Sequence, residues 1–202
     1  MSNIRIESFS GKGVEPWIDD LARLRISVFR AFPYLYDGSL EYELKYLQTY
    51  LLAQDSIVVL AFAGDDVIGA STALPLVEEI EEFQQPFIQC GVELEQIFYL
   101  GESVLLPEFR GQGIYKEFFS RREAQALRLG GFRQSVFCAV QRSLEHPLRP
   151  ADYQPLDLVW ERFGYCRQPS WQTMLAWRDL GEAEESEKLM MFWSKVLVEG
   201  SY

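Results

Sequence analysis

The sequence predicts an α/β fold in one domain, and three observations predict it. The chain has 202 residues, 48% of them hydrophobic, enough for one sizeable core and too few for two full domains. Ile57 to Phe62 and Val67 to Leu74 are apolar runs joined by the turn Gly64-Asp65-Asp66, the pattern of an antiparallel hairpin. Ile97 to Leu105, Gly111 to Leu129 and Ser135 to Val140 read as strand, long helix and strand, a succession that makes a right-handed crossover between parallel strands. The sheet is therefore expected to be mixed, with helices covering it.

The other elements follow in order. Ile4 and Ile6 alternate with polar neighbours in an opening strand, and Pro16 suits the first turn of a helix carrying Trp17, Leu21, Leu24 and Val28 at helical spacing. Leu40, Leu44, Leu47 and Leu51 predict a second helix, with Tyr42, Tyr46 and Tyr50 beside them. Between the two helices lies an aromatic loop, Phe32 to Gly38, that either lines a pocket or packs on the core. Pro75 ends the hairpin, and the run Glu78, Glu79, Glu81, Glu82 reads as a solvated helix start before a short helix from Phe83 to Cys90. Gly130-Gly131 close the long helix. A long loop with three prolines, Gln141 to Pro155, precedes a short helix, Leu156 to Phe163, which ends at Gly164. Short strands near Tyr165 and from Gln172 to Trp177 come next. Met190, Trp193 and Leu197 then predict a terminal helix from Glu182 to Val198.

Charge and cysteines narrow the function classes. A formal net charge of −11 repels a phosphate backbone, which disfavours nucleic acid as a partner and is compatible with a cationic substrate such as an amine. The start of the chain lacks the basic and apolar blocks of a secretory signal, and charge interrupts every apolar run, so a cytoplasmic protein with no membrane partner is expected. Cys90, Cys138 and Cys166 are odd in number and lack metal-ligand spacing, which predicts reduced thiols and no metal site.

The segment that carries chemistry runs from Gly101 to Tyr115. It places a strand, a loop with two glycines and the start of a long helix in succession. Free N–H groups and the positive dipole end of a helix N-terminus, reached through glycines, can hold a diphosphate without a metal. The spacing Gly111-x-Gly113 is neither a Rossmann fingerprint nor a Walker A loop.

Arg110-x-x-Gly113-x-Tyr115, approached through Leu106-Pro107-Glu108-Phe109, resembles the acetyl-CoA motif of the GNAT superfamily, Gln/Arg-x-x-Gly-x-Gly/Ala. The order of elements over residues 3 to 178 and the ending Phe163-Gly164-Tyr165 are also similar to that family. The resemblance implies a GNAT fold with a central mixed, mostly antiparallel sheet, a splayed parallel pair and helices on both faces. Residues 1 to 202 would form one acyltransferase domain, with a helical extension at about 180 to 200 outside the shared core. It also implies acetyl-CoA as co-substrate. Backbone amides of Arg110, Gly111, Gln112, Gly113, Ile114 and Tyr115 would hold the pyrophosphate, and those of Val104, Leu105 and Leu106 the pantetheine and thioester. Val140, Gln141 and Arg142 would flank the slot between the splayed strands. Tyr115 departs from the motif, because a small residue is usual there.

Acyl transfer needs a neutral amine, a donor for the oxyanion and a proton for the thiolate. Glu102 on the motif strand is the expected base, or else it pairs with a cation, and a backbone N–H near Leu105 is the expected oxyanion donor. The family's usual tyrosine acid, four residues before the glycine, is here Trp160, which leaves Tyr153, Tyr165 and the lone His146 as candidates. Cys138, flanked by Phe137 and Ala139, lacks a partnering base. Three readings stand: an N-acetyltransferase acting on a primary amine in a ternary complex, a non-catalytic acyl-CoA-binding domain, or the same fold with a longer acyl-CoA or another thioester as donor. The terminal segment offers Phe192 and Trp193 either to a homodimer or to the core.

Overall fold

The structure, a computed structural model, describes residues 4–197. Strand β1 (Ile4–Phe9) leads through a 3-10 turn, Gly11–Trp17, which contains Pro16, into helix α1 (Ile18–Phe29). Helix α2 (Leu40–Leu52) begins at Ser39, whose hydroxyl accepts from the Tyr42 N–H at 3.3 Å and satisfies one donor that the helix start leaves free. Strands β2 (Ile57–Ala63) and β3 (Asp66–Pro75) form the expected hairpin. Then come α3 (Glu81–Gln89), β4 (Ile97–Leu105), α4 (Ile114–Leu129), β5 (Gln134–Val140), α5 (Asp157–Arg162), β6 (Cys166–Trp177) and β7 (Ser186–Val196).

Among the described residues the seven strands form one sheet in the order β1-β2-β3-β4-β5-β7-β6. Only β4 and β5 are parallel, as the crossover through α4 requires. Alternation along the strands separates two faces. Val59, Ala61, Phe98 and Leu105 pack with Ile114 and Phe118 of α4 and with Trp160 of α5. On the opposite face Val58, Leu60 and Val104 pack with Leu21 and Leu24 of α1 and Leu47 of α2, and Tyr99, Val136 and Phe192 pack with Phe83 and Phe87 of α3. Among the described residues no helix is long and apolar enough to cross a membrane.

The terminal segment corrects the sequence reading. Ser186–Val196 is a strand, not a helix, and it lies inside the sheet between β5 and β6. Met190 to Ser194 are buried without a break, the pattern of a strand covered on both faces rather than of a one-faced helix. Phe192 and Trp193 are therefore core residues, fully buried and 2% exposed, and present no surface to a second copy. The chain to Val196 belongs to the sheet, so the boundary expected near residue 178 does not exist. The two short strands expected before it are one strand, β6, whose register shifts between Gln168 and Gln172 around Pro169. Val198 lies outside the described residues.

The acidic run before α3 also divides. Glu78, Glu81 and Glu82 are exposed as expected, whereas Glu79 is 5% exposed and accepts from the Tyr50 hydroxyl at 3.2 Å. Burial pushes the Glu79 carboxyl up to about 7 from 4.5, against the hydrogen bond from the Ile80 N–H. The folded chain therefore holds this proton more tightly than the unfolded chain, and stability is lost as pH rises from about 4.5 to 7. Replacing Glu79 by Gln should stabilise the chain at pH 8, by up to about 3 kcal/mol, and not at pH 4.5. Urea unfolding at the two pH values measures this, and an equal effect at both would refute it.

Candidate active site

The site begins where two strands part. β4 and β5 pair only at Ile97 with Gln134, Phe98 with Ser135 and Tyr99 with Val136, although both strands continue to Leu105 and Val140. Beyond Tyr99 the sheet is split. The Leu106 N–H donates to the Ile68 carbonyl at 3.0 Å, so it is spent within the sheet and unavailable to a ligand. Successive N–H groups of a strand point to opposite edges, and the Leu105 N–H therefore faces the split. The Leu105 carbonyl faces the same way, because it accepts the Arg110 guanidinium at 3.3 and 3.4 Å.

A bulge aims Glu102. Ser71 pairs with Ser103 and Ala73 with Leu100, so Thr72 alone opposes both Gly101 and Glu102. Gly101 admits no side chain, because a Cβ would lie 2.3 Å from the Tyr50 hydroxyl and 2.6 Å from the Thr72 hydroxyl. Arg122 braces the bulge from α4. Fully buried but for 1% of its surface, it donates to the carbonyls of Thr72 and Glu102 at 3.2 and 3.1 Å and to the Ser103 hydroxyl at 2.8 Å.

Glu102 meets a buried charge cluster. One oxygen sits 2.6 Å from the Arg25 guanidinium of α1, which also binds Glu43 of α2 and lies over the Tyr46 ring at 4.5 Å. Burial lowers the Arg25 pKa, but Glu102, Tyr46 and Glu43 outweigh it and raise the value overall, so Arg25 is a fixed cation. One cation faces two carboxylates, and the second oxygens, Glu43 Oε1 and Glu102 Oε1, have no hydrogen-bond partner. The sequence reading missed Arg25 and Glu43. Each is a charged residue on the buried face of an amphipathic helix, beside Leu21 and Leu24 or Leu47 and Tyr50, and that misfit was the available signal.

At the other side of the split, Gly111 and Gly113 have positive φ values of 76° and 83°, and nothing lies within 4 Å of a Cβ built on either. Gly113 caps α4, its carbonyl accepting from the Lys116 and Glu117 N–H groups. The N–H groups of Gly111, Gln112, Gly113, Ile114 and Tyr115 donate to nothing among the described residues, whereas the expected Arg110 N–H is spent on the Pro107 carbonyl at 3.2 Å. This is an open cradle of amides at a helix start. Tyr115 does not cross it. Its ring packs on Phe119 and Phe163, and its hydroxyl accepts from the Trp160 indole N–H at 2.9 Å. Burial raises its pKa, the Trp160 hydrogen bond opposing.

A channel of about 2020 Å³ joins cradle, split and charge cluster. Glu102, Leu105, Arg110, Gly111, Gly113, Tyr115, Gln141 and Tyr153 line it. Val104 is buried on the α1 and α2 face. Gln141 is fixed by its N–H to the Leu189 carbonyl at 2.8 Å and by Arg167 on its side-chain oxygen at 2.9 Å. Tyr153 stands edge-on to Phe32, ring centroids 4.7 Å apart, so the aromatic loop does line the site.

Two expected acids are misplaced. Tyr165 is 1% exposed, with its hydroxyl held between Ser135 and Glu123 at 2.8 and 2.9 Å, away from the channel wall. His146 packs on Phe32 and accepts the Leu148 N–H on Nδ1 at 3.2 Å, and it is not on the wall either. Burial pushes the Cys138 thiol up to about 12, which keeps it protonated.

The bulged β4 beside a split parallel pair, with an amide cradle at the following helix, defines the GNAT fold, and comparison with solved structures bears this out. No protein-family model matches the sequence, and no curated protein matches it. Among solved structures, a candidate acetyltransferase from Salmonella typhimurium with its cofactor acetyl-CoA superimposes with a TM-score of 0.61 at 11% identity, over 98% of this chain and 96% of that one. An acetyltransferase of the GNAT family from Streptococcus pneumoniae gives 0.58 at 10% identity, covering 97% and 100%. A ribosomal-protein-alanine N-acetyltransferase from Brucella melitensis gives 0.61 at 12%, covering 96% and 99%. At these identities the likeness is one of fold.

Proposed function

We propose that this chain is an N-acetyltransferase that moves the acetyl group of acetyl-CoA to a primary amine by direct attack, both substrates being bound together. One observation carries the reading: a single channel connects an unpartnered amide cradle, a free strand N–H and a buried carboxylate. The cradle from Gly111 to Tyr115 fits a pyrophosphate, since its donors are free and both glycines have open space above them. That the Salmonella structure contains acetyl-CoA and that the Brucella protein is named for an amine-acetylating activity support the same donor and acceptor class.

Acetyl-CoA supplies the activated acyl carbon, and the chain supplies position and proton handling. The Leu105 N–H donates to the thioester oxygen as negative charge builds on it. Glu102 removes the proton of the amine through its unpartnered oxygen, directly or across a water. The departing thiolate takes a proton from a hydroxyl on the wall, Tyr153 or Tyr115. Tyr115 is suited to this, because it accepts from Trp160 and keeps its own proton to give.

Calorimetric titration with acetyl-CoA tests the cradle. The parent chain should bind saturably, and Gly113→Glu, which sets a side chain and an anion where φ is 83°, should weaken binding at least about 100-fold. Equal affinity in the two chains would overturn the assignment. Binding without thiol release on any amine would instead make the chain a non-catalytic acyl-CoA module.

A further inference from the structure

The channel is polarised. On the α4 side Arg110 and Lys116 line its mouth, beside the cradle. On the opposite face, where α2 and α3 pack, the lining includes Glu82, Glu184, Glu185 and Glu187, all exposed and none of them in an ion pair among the described residues. Three of the cations lining this end are engaged by carboxylates, while Arg149 lies over the Phe32 and Tyr153 rings. Arg25 is taken by Glu43 and Glu102, Arg142 by Asp179 at 2.7 Å, and Arg178 by Asp37 at 2.7 Å. Deeper in, Glu43 and Glu102 add the two unpartnered oxygens, in residues 0% and 7% exposed. Tyr42 links the two levels. Burial and Glu43 raise its pKa, Arg25 opposes them, and Glu185 and Glu82 at the rim add to the rise.

On the strength of the acetyltransferase reading, we infer that the acceptor is a small aliphatic di- or polyamine, held by one ammonium at the rim formed by Glu82, Glu184 and Glu185 while its other amine reaches Glu102. Glu102 Oε1 is buried without a hydrogen-bond partner, and an ammonium supplies one. Tyr46 and Phe29 already lie under the Arg25 guanidinium, at 4.5 and 5.2 Å, whereas the exposed Tyr42 ring lines the channel and suits a methylene stem and its ammonium. In the reaction the amine nitrogen bonds to the thioester carbonyl carbon, the carbon–sulfur bond breaks and the amine proton leaves through Glu102. The sulfur departs as a thiol, and the rim ammonium passes unchanged into the product.

The acceptor end is strapped, which favours a slender free molecule over a polypeptide. The loop from Arg30 to Ser39 is tied across to the end of β6. Asp37 N–H donates to the Arg178 carbonyl at 2.9 Å, and Leu180 N–H to that of Leu35 at 2.7 Å. Arg142 donates to the carbonyls of Pro33 and Tyr34, each at 2.8 Å. Leu35 is held at a φ of 55°, a left-handed conformation that a leucine keeps only when its surroundings fix it.

The test measures thiol release with 1,4-diaminobutane and with n-butylamine, and calorimetric binding of 1,4-diaminobutane to the acetyl-CoA-free chain. The diamine should show a kcat/KM at least about thirtyfold above the monoamine, with an advantage that shrinks as salt is raised. In the variant Glu82→Gln/Glu184→Gln/Glu185→Gln that advantage should fall about tenfold, and calorimetric affinity for the diamine with it. Equal kcat/KM for the two amines, an advantage that survives in the variant, or preference for an oligolysine peptide over the diamine would each overturn the inference. Saturable diamine binding that the variant weakens, in a chain that turns over no amine, would uphold it and overturn the acetyltransferase reading alone.

Discussion

Glu102→Gln should lower kcat by roughly 10²–10³-fold, the range expected on losing a positioned general base. Gln keeps the size and the contact with Arg25 but cannot take a proton. Acetyl-CoA affinity should change by less than about threefold, because the cradle lies on the other side of the split and its donors are backbone amides. The residual rate should climb with pH toward the amine's own pKa, since free amine must then come from solution. Rapid thiol detection at saturating substrates reads the loss. A kcat within twofold of the parent would mean that Glu102 serves only as the Arg25 counterion.

Arg25→Met should destabilise the chain by roughly 3–5 kcal/mol at pH 7, the cost of leaving buried carboxylates without their cation. Glu43 is completely buried and Glu102 is 7% exposed, so little of either charge is compensated by solvent. For a chain of 202 residues this is a fall in Tm of roughly 6–20 °C. The deficit should narrow as pH falls, because protonating the carboxylates removes the uncompensated charge. It should narrow also in the double variant with Glu43→Met, which removes one of those charges outright. Thermal unfolding followed by circular dichroism decides it, and a Tm within 2 °C of the parent would show that Glu43 and Glu102 do not depend on Arg25.

The hairpin, the crossover and the strand–glycine–helix segment were legible because each is a local pattern with one structural solution. The terminal strand was not. Met190, Trp193 and Leu197 match helical spacing, but the intervening Met191, Phe192 and Ser194 are buried too, and the choice between a helix and an inserted strand depends on whether β5 has a free edge to receive it. Tyr165 and His146 looked like acids because tyrosine and histidine can be acids. Whether they face the channel depends on α4, which supplies Glu123 to the Tyr165 hydroxyl, and on Phe32, which packs at a tilt against His146.

By itself the sequence determined the parallel pair and the strand–glycine–helix stretch on which Glu102 and the free amides lie, since these follow from turn glycines, apolar period and helix starts within one continuous stretch. Only the tertiary structure decided what surrounds that stretch. Arg25 and Glu43 come from two other helices, and the exposed carboxylates that line the same channel come from the loop before β7 and from α3. The attractions among such groups act through space, across long separations in sequence, so no local pattern announces which charges will meet.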